Sequence, residues 1–421
     1  MSAPRVAVIG TGRVGLPLAL AFIEAGAEVI GVDIDPRVRR IINEERRMPF
    51  HEPGFEDAAA SGKLRIVERV ADAGDVDVFV ITVGTPLLHH IETDLSAVTR
   101  VIAELSPSLR AGHCVIMRST TAPRTTRYVR TLLERHSGLG VGTDLALACC
   151  PERIVEGKAH EELRSLPQVI GTEDPLSRDA AARLFGLLGV ELLHCDYITA
   201  ELVKLANNVS RYAFFATANV LAMIALDYDA EPHEVLRLGN YRYPRPIGAR
   251  PGLTAGTCLR KDFGMLSEAY WSSDILIDSW RINESMPKFL VDAAKRRWGP
   301  LAGERALVLG YSFKRDTDDV RDSLSAKLLR YLQRECPARL AVHDPWVSAS
   351  RLEPLHELRF ETDLLEALDA SSVAFIATNH TVYEEQREAI LARVAAGSLR
   401  VVDLWNCLGT GHTLIAKDGL R

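Results

Sequence analysis

Apolar positions along this chain fall into two patterns. Short continuous blocks at Arg5–Ile9, 28–33, 76–83 and 113–118 alternate with stretches of helical spacing, the first at about 14–24. Blocks without strict alternation predict strands buried on both faces, and therefore a parallel sheet covered by helices. The period then changes. From 198 to about 229, Leu202, Leu205, Ala206, Val209, Ala213, Ala216 and Val220 recur at helical spacing with no Pro or Gly between them. A helix of about 30 residues spans roughly 45 Å, more than one small domain needs. It is expected to be largely buried, to connect two lobes and to supply a subunit interface.

A loop rich in Pro, Gly and Arg follows at 241–257, and after Gly299-Pro300 the strand-and-helix alternation resumes at Arg305–Leu309, from about 325, Arg339–His343, 373–377, 384–395 and 400–404. The expected fold class is α/β, with two Rossmann-like doubly wound domains joined by a long central helix. The expected boundaries are 1–197 for a dinucleotide-binding domain, 198–298 for a helical dimerisation domain and 299–421 for a second α/β domain. No internal repeat is visible, although the two ends share a layout.

Composition excludes several classes. With 421 residues, 47% apolar and 25% charged, the chain is long enough for two or three ordinary domains and is neither fibrous nor disordered. A net charge of −6 argues against a nucleic-acid partner. There is no run of 18 uncharged apolar residues, and the N-terminus enters a strand directly. These features lead us to expect no membrane partner and a cytoplasmic location. The seven cysteines are irregularly spaced and suggest no metal site, consistent with a reducing compartment. Adjacent Cys149 and Cys150 read as buried filler.

Gly10-Thr11-Gly12-Arg13-Val14-Gly15 directly follows the first strand block and opens a helix. In that setting the first glycine permits a tight turn, the second lets backbone approach a pyrophosphate, and the third lets helix pack on strand. Helix N-terminal amides then face the phosphates. Asp33 closes the second block about 20 residues further on, where a carboxylate accepts hydrogen bonds from a ribose diol and repels a 2′-phosphate. NAD is therefore favoured over NADP, with Arg37 and Arg39 close enough to blunt the preference.

The candidate chemistry lies further along. Cys258 stands in Gly256-Thr257-Cys258-Leu259-Arg260-Lys261-Asp262, a loop segment just ahead of an expected helix. A cysteine picked blind is more often packing, but Lys261 and a helix start both favour the nucleophilic thiolate. Asp262 opposes this unless it is turned toward a water. Lys204 and Asn208 are one helical turn apart. They are either a solvated pair or, on a buried helix, groups with a partner or a task. Glu152 and Arg153 follow Pro151 at a strand end, where open parallel sheets place ligands. Glu152 could serve as a general base or simply pair with Arg153.

In order, these segments resemble the UDP-glucose/GDP-mannose dehydrogenase family, the nucleotide-sugar 6-dehydrogenases, nearly end to end. The resemblance is carried by the glycine fingerprint and Asn43 through Pro49 to Glu52-Pro53-Gly54. Further on come Thr85-Pro86, Ser119-Thr120 with Pro123, Pro151-Glu152-Arg153 through Glu156-Gly157, and Glu201-Leu202-Val203-Lys204 with Asn208. It continues through Cys258 to Asp262, then Gly310-Tyr311-Ser312-Phe313-Lys314 and Asp318-Asp319-Val320-Arg321-Asp322-Ser323. The resemblance implies that Cys258 is a nucleophile, that Lys204 and Asn208 stabilise a developing oxyanion, and that Asp262, Glu152 and Thr120 position or activate water. It also implies cofactor contacts from Gly10, Gly12, Arg13, Val14, Gly15, Asp33, Thr85, Ser119 and Arg321. Arg153, Ile154, Val155, Glu156, Lys204, Gly256 and Lys314 are implied around a UDP-sugar held by the C-terminal domain. Arg242, or its neighbour Arg245, matches an arginine lent across a homodimer interface.

The implied activity is oxidation of a C6 hydroxyl to a carboxylate in two hydride transfers. A thiolate that captures the aldehyde as a thiohemiacetal, oxidised to a thioester, prevents its escape, and a nearby ammonium stabilises each alkoxide-like state. Two segments depart from the family pattern. Leu253-Thr254-Ala255 stands where the loop before the cysteine is usually richer in glycine, and Trp405 stands where many relatives carry Arg. Pro151-Glu152-Arg153 resembles members acting on UDP-N-acetylhexosamines, with mannosamine favoured, whereas Leu259 to Asp262 resembles the glucose type. A single-hydride β-hydroxyacid dehydrogenase and an inactive nucleotide-sugar-binding protein are the more remote alternatives.

Overall fold

In the computed structural model, residues 3–88, 92–267 and 274–419 are described, without the side chains at 257, 258, 260, 267 and 419. The chain divides into two compact units. One comprises Met1–Asn207 with Lys261–Trp271, the other Asn208–Arg260 with Ser272–Arg421.

The first unit is built on eight strands: β1 (Arg5–Ile9), β2 (Glu28–Val32), β3 (Arg65–Val67), β4 (Val78–Ile81), β5 (Cys114–Met117), β6 (Ala146–Cys149), β7 (Gln168–Gly171) and β8 (Leu192–Cys195). They lie in the order β3-β2-β1-β4-β5-β6-β7-β8, parallel except where β6 meets β7. The continuous apolar blocks are accounted for by this sheet. Val6, Val8, Val80 and Ile116 feed one buried layer, while Ala7, Ile9, Ile81 and Met117 feed the opposite one. Strands β3, β7 and β8 lie outside the sequence expectation, which marked β6 only by its end before Pro151. They run only three or four residues each, and Ala-containing or polar-ended segments of that length carry little strand signal.

The second unit carries β9 (Arg305–Leu309), β10 (Arg339–His343), β11 (Leu358–Glu361), β12 (Val373–Ile376), β13 (Arg400–Val402) and β14 (Leu414–Ile415) in the order β11-β10-β9-β12-β13-β14. Among the described residues of this sheet only the β13–β14 pair is antiparallel. The shared layout noted in the sequence is thus a shared topology. Each sheet reverses its winding beside its first strand, between β1 and β4 and between β9 and β12, where open α/β sheets bind ligands at their carboxyl ends. The matching turns are alike: the Gly10 amide donates to the Val32 carbonyl at 2.7 Å and the Gly310 amide to the His343 carbonyl at 2.8 Å.

The long helix runs Tyr197–Asp227. By length and composition it could cross a bilayer, but 39% of its most apolar window is buried within the protein. The expectation of a largely buried helix is only partly met. Tyr197, Ala200, Leu205 and Asn219 are enclosed, yet Leu202, Phe214 and Ile224 are 40–52% exposed, and Ala206 is exposed too. Helical periodicity identifies an apolar face without saying what covers it.

Candidate active site

The dinucleotide fingerprint forms the turn expected of it, and the three glycines do different jobs. Gly10 has φ +94°, and a Cβ there would sit 3.1 Å from the Thr82 carbonyl. At Gly15 a Cβ would fall 2.0 Å from the Gly10 oxygen and 2.5 Å from Thr82 Oγ1. Both positions therefore serve the fold. Gly12 differs, because a Cβ there would meet nothing within 4 Å. It leaves open space at the start of the Gly15–Glu24 helix, where a pyrophosphate approaches backbone amides.

Beside this turn lies a cavity of about 330 Å³, lined among others by Gly10, Gly12, Asp33, Ile34, Thr82 and Val101. Asp33 Oδ2 accepts from the Thr11 amide at 2.7 Å and Oδ1 from the Asp35 amide at 2.9 Å, which fixes the carboxylate at the end of β2. The open Gly12 face, this carboxylate and the cavity suit an adenine dinucleotide. Glu68, Arg100 and Glu104 also line it. These three were not legible in the sequence, because the loop after β3 that carries Glu68 and the Ser96–Leu105 helix that carries Arg100 and Glu104 come together only through the sheet.

Of the other cofactor candidates, Arg13 forms an ion pair with Glu156 and lies over the Phe50 ring. Thr85 is buried and donates to the Thr120 carbonyl, while Ser119 Oγ donates to the Val83 carbonyl at 2.7 Å. These two hydroxyls brace the loops after β4 and β5.

The segment after β6 is held from both sides. Glu152 is buried, forms an ion pair with Arg118, and accepts from the Arg153 and Ile154 amides at 2.7 and 2.8 Å. Its partner is thus Arg118 and not, as the adjacency suggested, the side chain of Arg153, which reaches the Pro167 carbonyl. Arg118 is itself buried and also bonds the Cys150 carbonyl and Gln168 Oε1. A charge closing an apolar strand block gave no warning of this role. Further on, Val155 bonds Glu162, and Glu52 accepts from the Gly157 and Ala159 amides, each at 2.8 Å. This carboxylate fastens the far end of the segment.

Lys204 and Asn208 lie one turn apart on the long helix, each 9% exposed or less. One turn before Lys204, buried Glu201 accepts from the Arg124 and Thr126 amides, both at 2.7 Å, and from Thr126 Oγ1 at 2.6 Å. Burial raises its pKa, with the Thr126 and Arg124 bonds opposing the rise. Glu201 thereby caps the Thr125–Ser137 helix and ties Lys204's helix to the Ser119-Thr120 loop.

Cys258 belongs to the first turn of the Thr257–Ser267 helix rather than to a loop ahead of it. Its side chain lies outside the described residues. Lys261, expected to favour the thiolate, has its Nζ 3.1 Å from Thr85 Oγ1 and 3.9 Å from the Asp262 carboxylate. Asp262 is 1% exposed. The helix's second turn thus meets the loop at the carboxyl end of β4, which Thr85 ties to the loop after β5. Among the described cysteines, burial pushes the Cys114 thiol up to about 12 and also raises Cys149 and Cys150. Those two are the buried filler that their adjacency suggested.

In the second unit, Gly310 (φ +93°) turns the chain after β9, and buried Asp344, after β10, accepts from the Tyr311 and Ser312 amides at 2.6 and 2.9 Å. Burial opposes ionisation of Asp344, yet its bonds from His380 and these amides hold its pKa below the ordinary carboxylate range. Lys314 follows this turn and is half-buried. Arg321 folds onto Asp319, with Nη2 at 2.6 Å. The glycine-poor loop packs here. A Cβ at Gly252 would lie 2.3 Å from the Trp405 ring, and one at Gly256 2.7 Å from Phe313. Trp405 Nε1 donates to the Ala377 carbonyl at 2.9 Å. Trp405 thus braces the loop that leads to Cys258. Arg242, with φ +54° and its guanidinium over the Tyr241 ring, is exposed.

The chain matches family models in three consecutive segments of the UDP-glucose/GDP-mannose dehydrogenase family: the NAD binding domain over residues 4–188, the central domain over 198–285 and the UDP binding domain over 307–410. It is 31% identical over 390 residues to a UDP-N-acetyl-D-mannosamine dehydrogenase of Pyrococcus horikoshii, covering 90% of each chain. It is 27% identical to a UDP-glucose 6-dehydrogenase of Haloferax volcanii, covering 94% of this chain and 97% of that one. Solved structures similar to it include the UDP-D-ManNAc dehydrogenase of P. horikoshii, with TM-score 0.83, 30% identity and coverage of 94% and 93% of the two chains. A UDP-glucose dehydrogenase of Pyrobaculum islandicum gives TM-score 0.82, 27% identity and 91% coverage of both. With all three segments matched in order, the chain belongs to the UDP-glucose/GDP-mannose dehydrogenase family.

Proposed function

We propose that this chain is an NAD-dependent UDP-sugar 6-dehydrogenase. It oxidises the C6 hydroxyl of a UDP-N-acetylhexosamine, with N-acetylmannosamine favoured, to the carboxylate. The observation that carries this reading is the Lys261–Thr85 bond. It joins the helix bearing Cys258 to the loops that flank the dinucleotide turn. When bound, NAD accepts one hydride in each of two oxidations. Between them the Cys258 thiolate adds to the aldehyde carbon. The resulting thiohemiacetal loses the second hydride to become a thioester, and water then displaces the sulfur to release the acid.

Lys204 and Asn208 stabilise the oxyanion at each stage, and buried Asp262 activates the water. Glu152, with both oxygens engaged, and Thr120, through its carbonyl, position the surrounding loops. Lys314 and Gly256 contact the sugar nucleotide, Arg321 the dinucleotide, and the 153–156 segment the sugar. The working domains are 1–197 for NAD, 198–298 for dimerisation and 299–421 for UDP. A homodimer that lends Arg242 is supported by exposed Phe214, Ile224, Tyr228, Leu238, Tyr241 and Ile275 in the central segment. The six cysteines described are all free thiols, which suits the cytoplasm.

The N-acetylmannosamine preference rests on Arg153 after Glu152 and on similarity to the P. horikoshii enzyme. UDP-glucose is the alternative, favoured by Leu259 to Asp262 and by similarity to the P. islandicum structure. The test is to count NADH formed per sugar with UDP-N-acetylmannosamine, UDP-N-acetylglucosamine, UDP-N-acetylgalactosamine and UDP-glucose. Two per sugar is expected. One would indicate a single-hydride dehydrogenase, and none with any sugar a binding protein. Cys258→Ser should stall after partial oxidation, and undiminished acid formation would rule out the covalent route.

A further inference from the structure

We infer that Glu68 is a specificity-determining residue that keeps the adenosine cavity closed to 2′-phosphorylated dinucleotides by occupying Arg39. The inference rests on the assignment of this cavity to NAD. Arg39 is the guanidinium best placed to reverse that preference. It lies six residues beyond Asp33, donates from Nη1 to the Asp33 carbonyl at 2.9 Å and is mostly buried. A guanidinium held against the residue that faces the ribose can engage a 2′-phosphate with two parallel bonds. Here its other nitrogen, Nη2, is 3.1 Å from Glu68 Oε2.

Glu68 comes to that place through the sheet. It follows β3, whose last residue, Val67, accepts from the Asp33 amide at 2.9 Å. The loops after β2 and β3 are thereby held side by side. Glu68 also lines the cavity, together with Asp33, Glu104 and Arg100, so three carboxylates face one guanidinium. Glu104 is fixed by the Val70 amide at 2.8 Å. A 2′-phosphate brings about −1.5 to −2 charges into a lining that already repels it, and Arg39, the cation bonded to the Asp33 carbonyl, is engaged. Asp33 therefore does not act alone in excluding NADP.

The test is calorimetric titration of the full chain with NAD and with NADP, which reads binding without turnover. Glu68→Gln removes one repelling charge and releases Arg39 Nη2. It should tighten NADP binding relative to NAD by about tenfold, the scale of one new hydrogen bond to a charged group. The gain should shrink as salt is raised. Adding Arg39→Ala to Glu68→Gln should remove most of the gain, because the new contact belongs to Arg39 and the charge of Glu68, whose side chain is 64% exposed, is largely screened by solvent. An unchanged NADP-to-NAD ratio in Glu68→Gln would overturn the inference, as would a gain that survives loss of Arg39 in full. A wild-type chain that binds NADP more tightly than NAD would instead overturn the underlying cofactor assignment. Retained folding is checked by circular dichroism, with Glu68→Asp as a second variant that keeps the charge and should keep the wild-type ratio.

Discussion

The glycine turn allows a separation of folding from binding that can be worked through in numbers. Gly15→Ala places a methyl 2.0 Å from a backbone oxygen and 2.5 Å from Thr82 Oγ1, both well inside contact distance. The helix start or β4 must then shift, and overpacking of this kind costs about 1–3 kcal/mol or more. Gly12→Ala meets no protein atom within 4 Å, so the fold should tolerate it, with any change below about 1 kcal/mol. Its methyl instead points into the space left for the pyrophosphate. Loss of one charge-assisted contact weakens binding by roughly 1.5–3 kcal/mol, about 10–150-fold.

Take a loss of about 30-fold. NAD at 100 times the wild-type Kd stabilises the wild type by about 2.7 kcal/mol, whereas the same concentration stabilises Gly12→Ala by only about 0.9 kcal/mol. In a thermal-shift assay the NAD-induced rise should therefore fall to about a third in Gly12→Ala, with the ligand-free midpoint near that of the wild type. Gly15→Ala should lower the ligand-free midpoint itself. An undiminished NAD shift in Gly12→Ala would refute the placement of the pyrophosphate at this turn.

Two further expectations concern buried charges. Arg118→Met leaves Glu152 buried without its cation partner and should destabilise the protein by about 3–5 kcal/mol. Urea denaturation measures this, and Glu152→Gln in the same chain should recover part of the loss; a cost below about 1 kcal/mol would mean that water reaches the pair. Burial pushes the Asp403 carboxyl up to about 6, against bonds from the Leu408 and Cys407 amides. The folded-state value lies above the ordinary value of about 3.9, so the folded chain binds more protons than the unfolded chain between about pH 4 and 6. The contribution is complete below about pH 4 and is lost as pH rises through 6, by about 3 kcal/mol. The stability difference between wild type and Asp403→Asn, from urea unfolding at pH 4 and pH 7, should change by that amount, and a constant difference would count against a protonated Asp403.

Local signals made the architecture legible. Continuous apolar blocks, a glycine turn between strand and helix, and an uninterrupted helical period each depend on neighbours within a few residues, and each survives in the structure. The same signals missed β3, β7 and β8 in the first sheet and β11 and β14 in the second, which are too short to declare themselves. They also overstated the burial of the long helix, because period alone does not distinguish a core from an exposed apolar face.

The site divides along the same line. Residue type and order were enough to find the turn at Gly10, Gly12 and Gly15 and the carboxylate of Asp33 beside it, since a tight turn between strand and helix demands particular residues at a particular spacing. Which partner each charge takes was decided by tertiary structure alone. Arg118 meets Glu152 across the sheet, Glu201 reaches back to cap the Thr125–Ser137 helix, Lys261 lands on Thr85, and Glu68 finds Arg39 through the pairing of β2 with β3. Charge pairing depends on distance in space, and strands far apart in the chain become neighbours only when the sheet has formed.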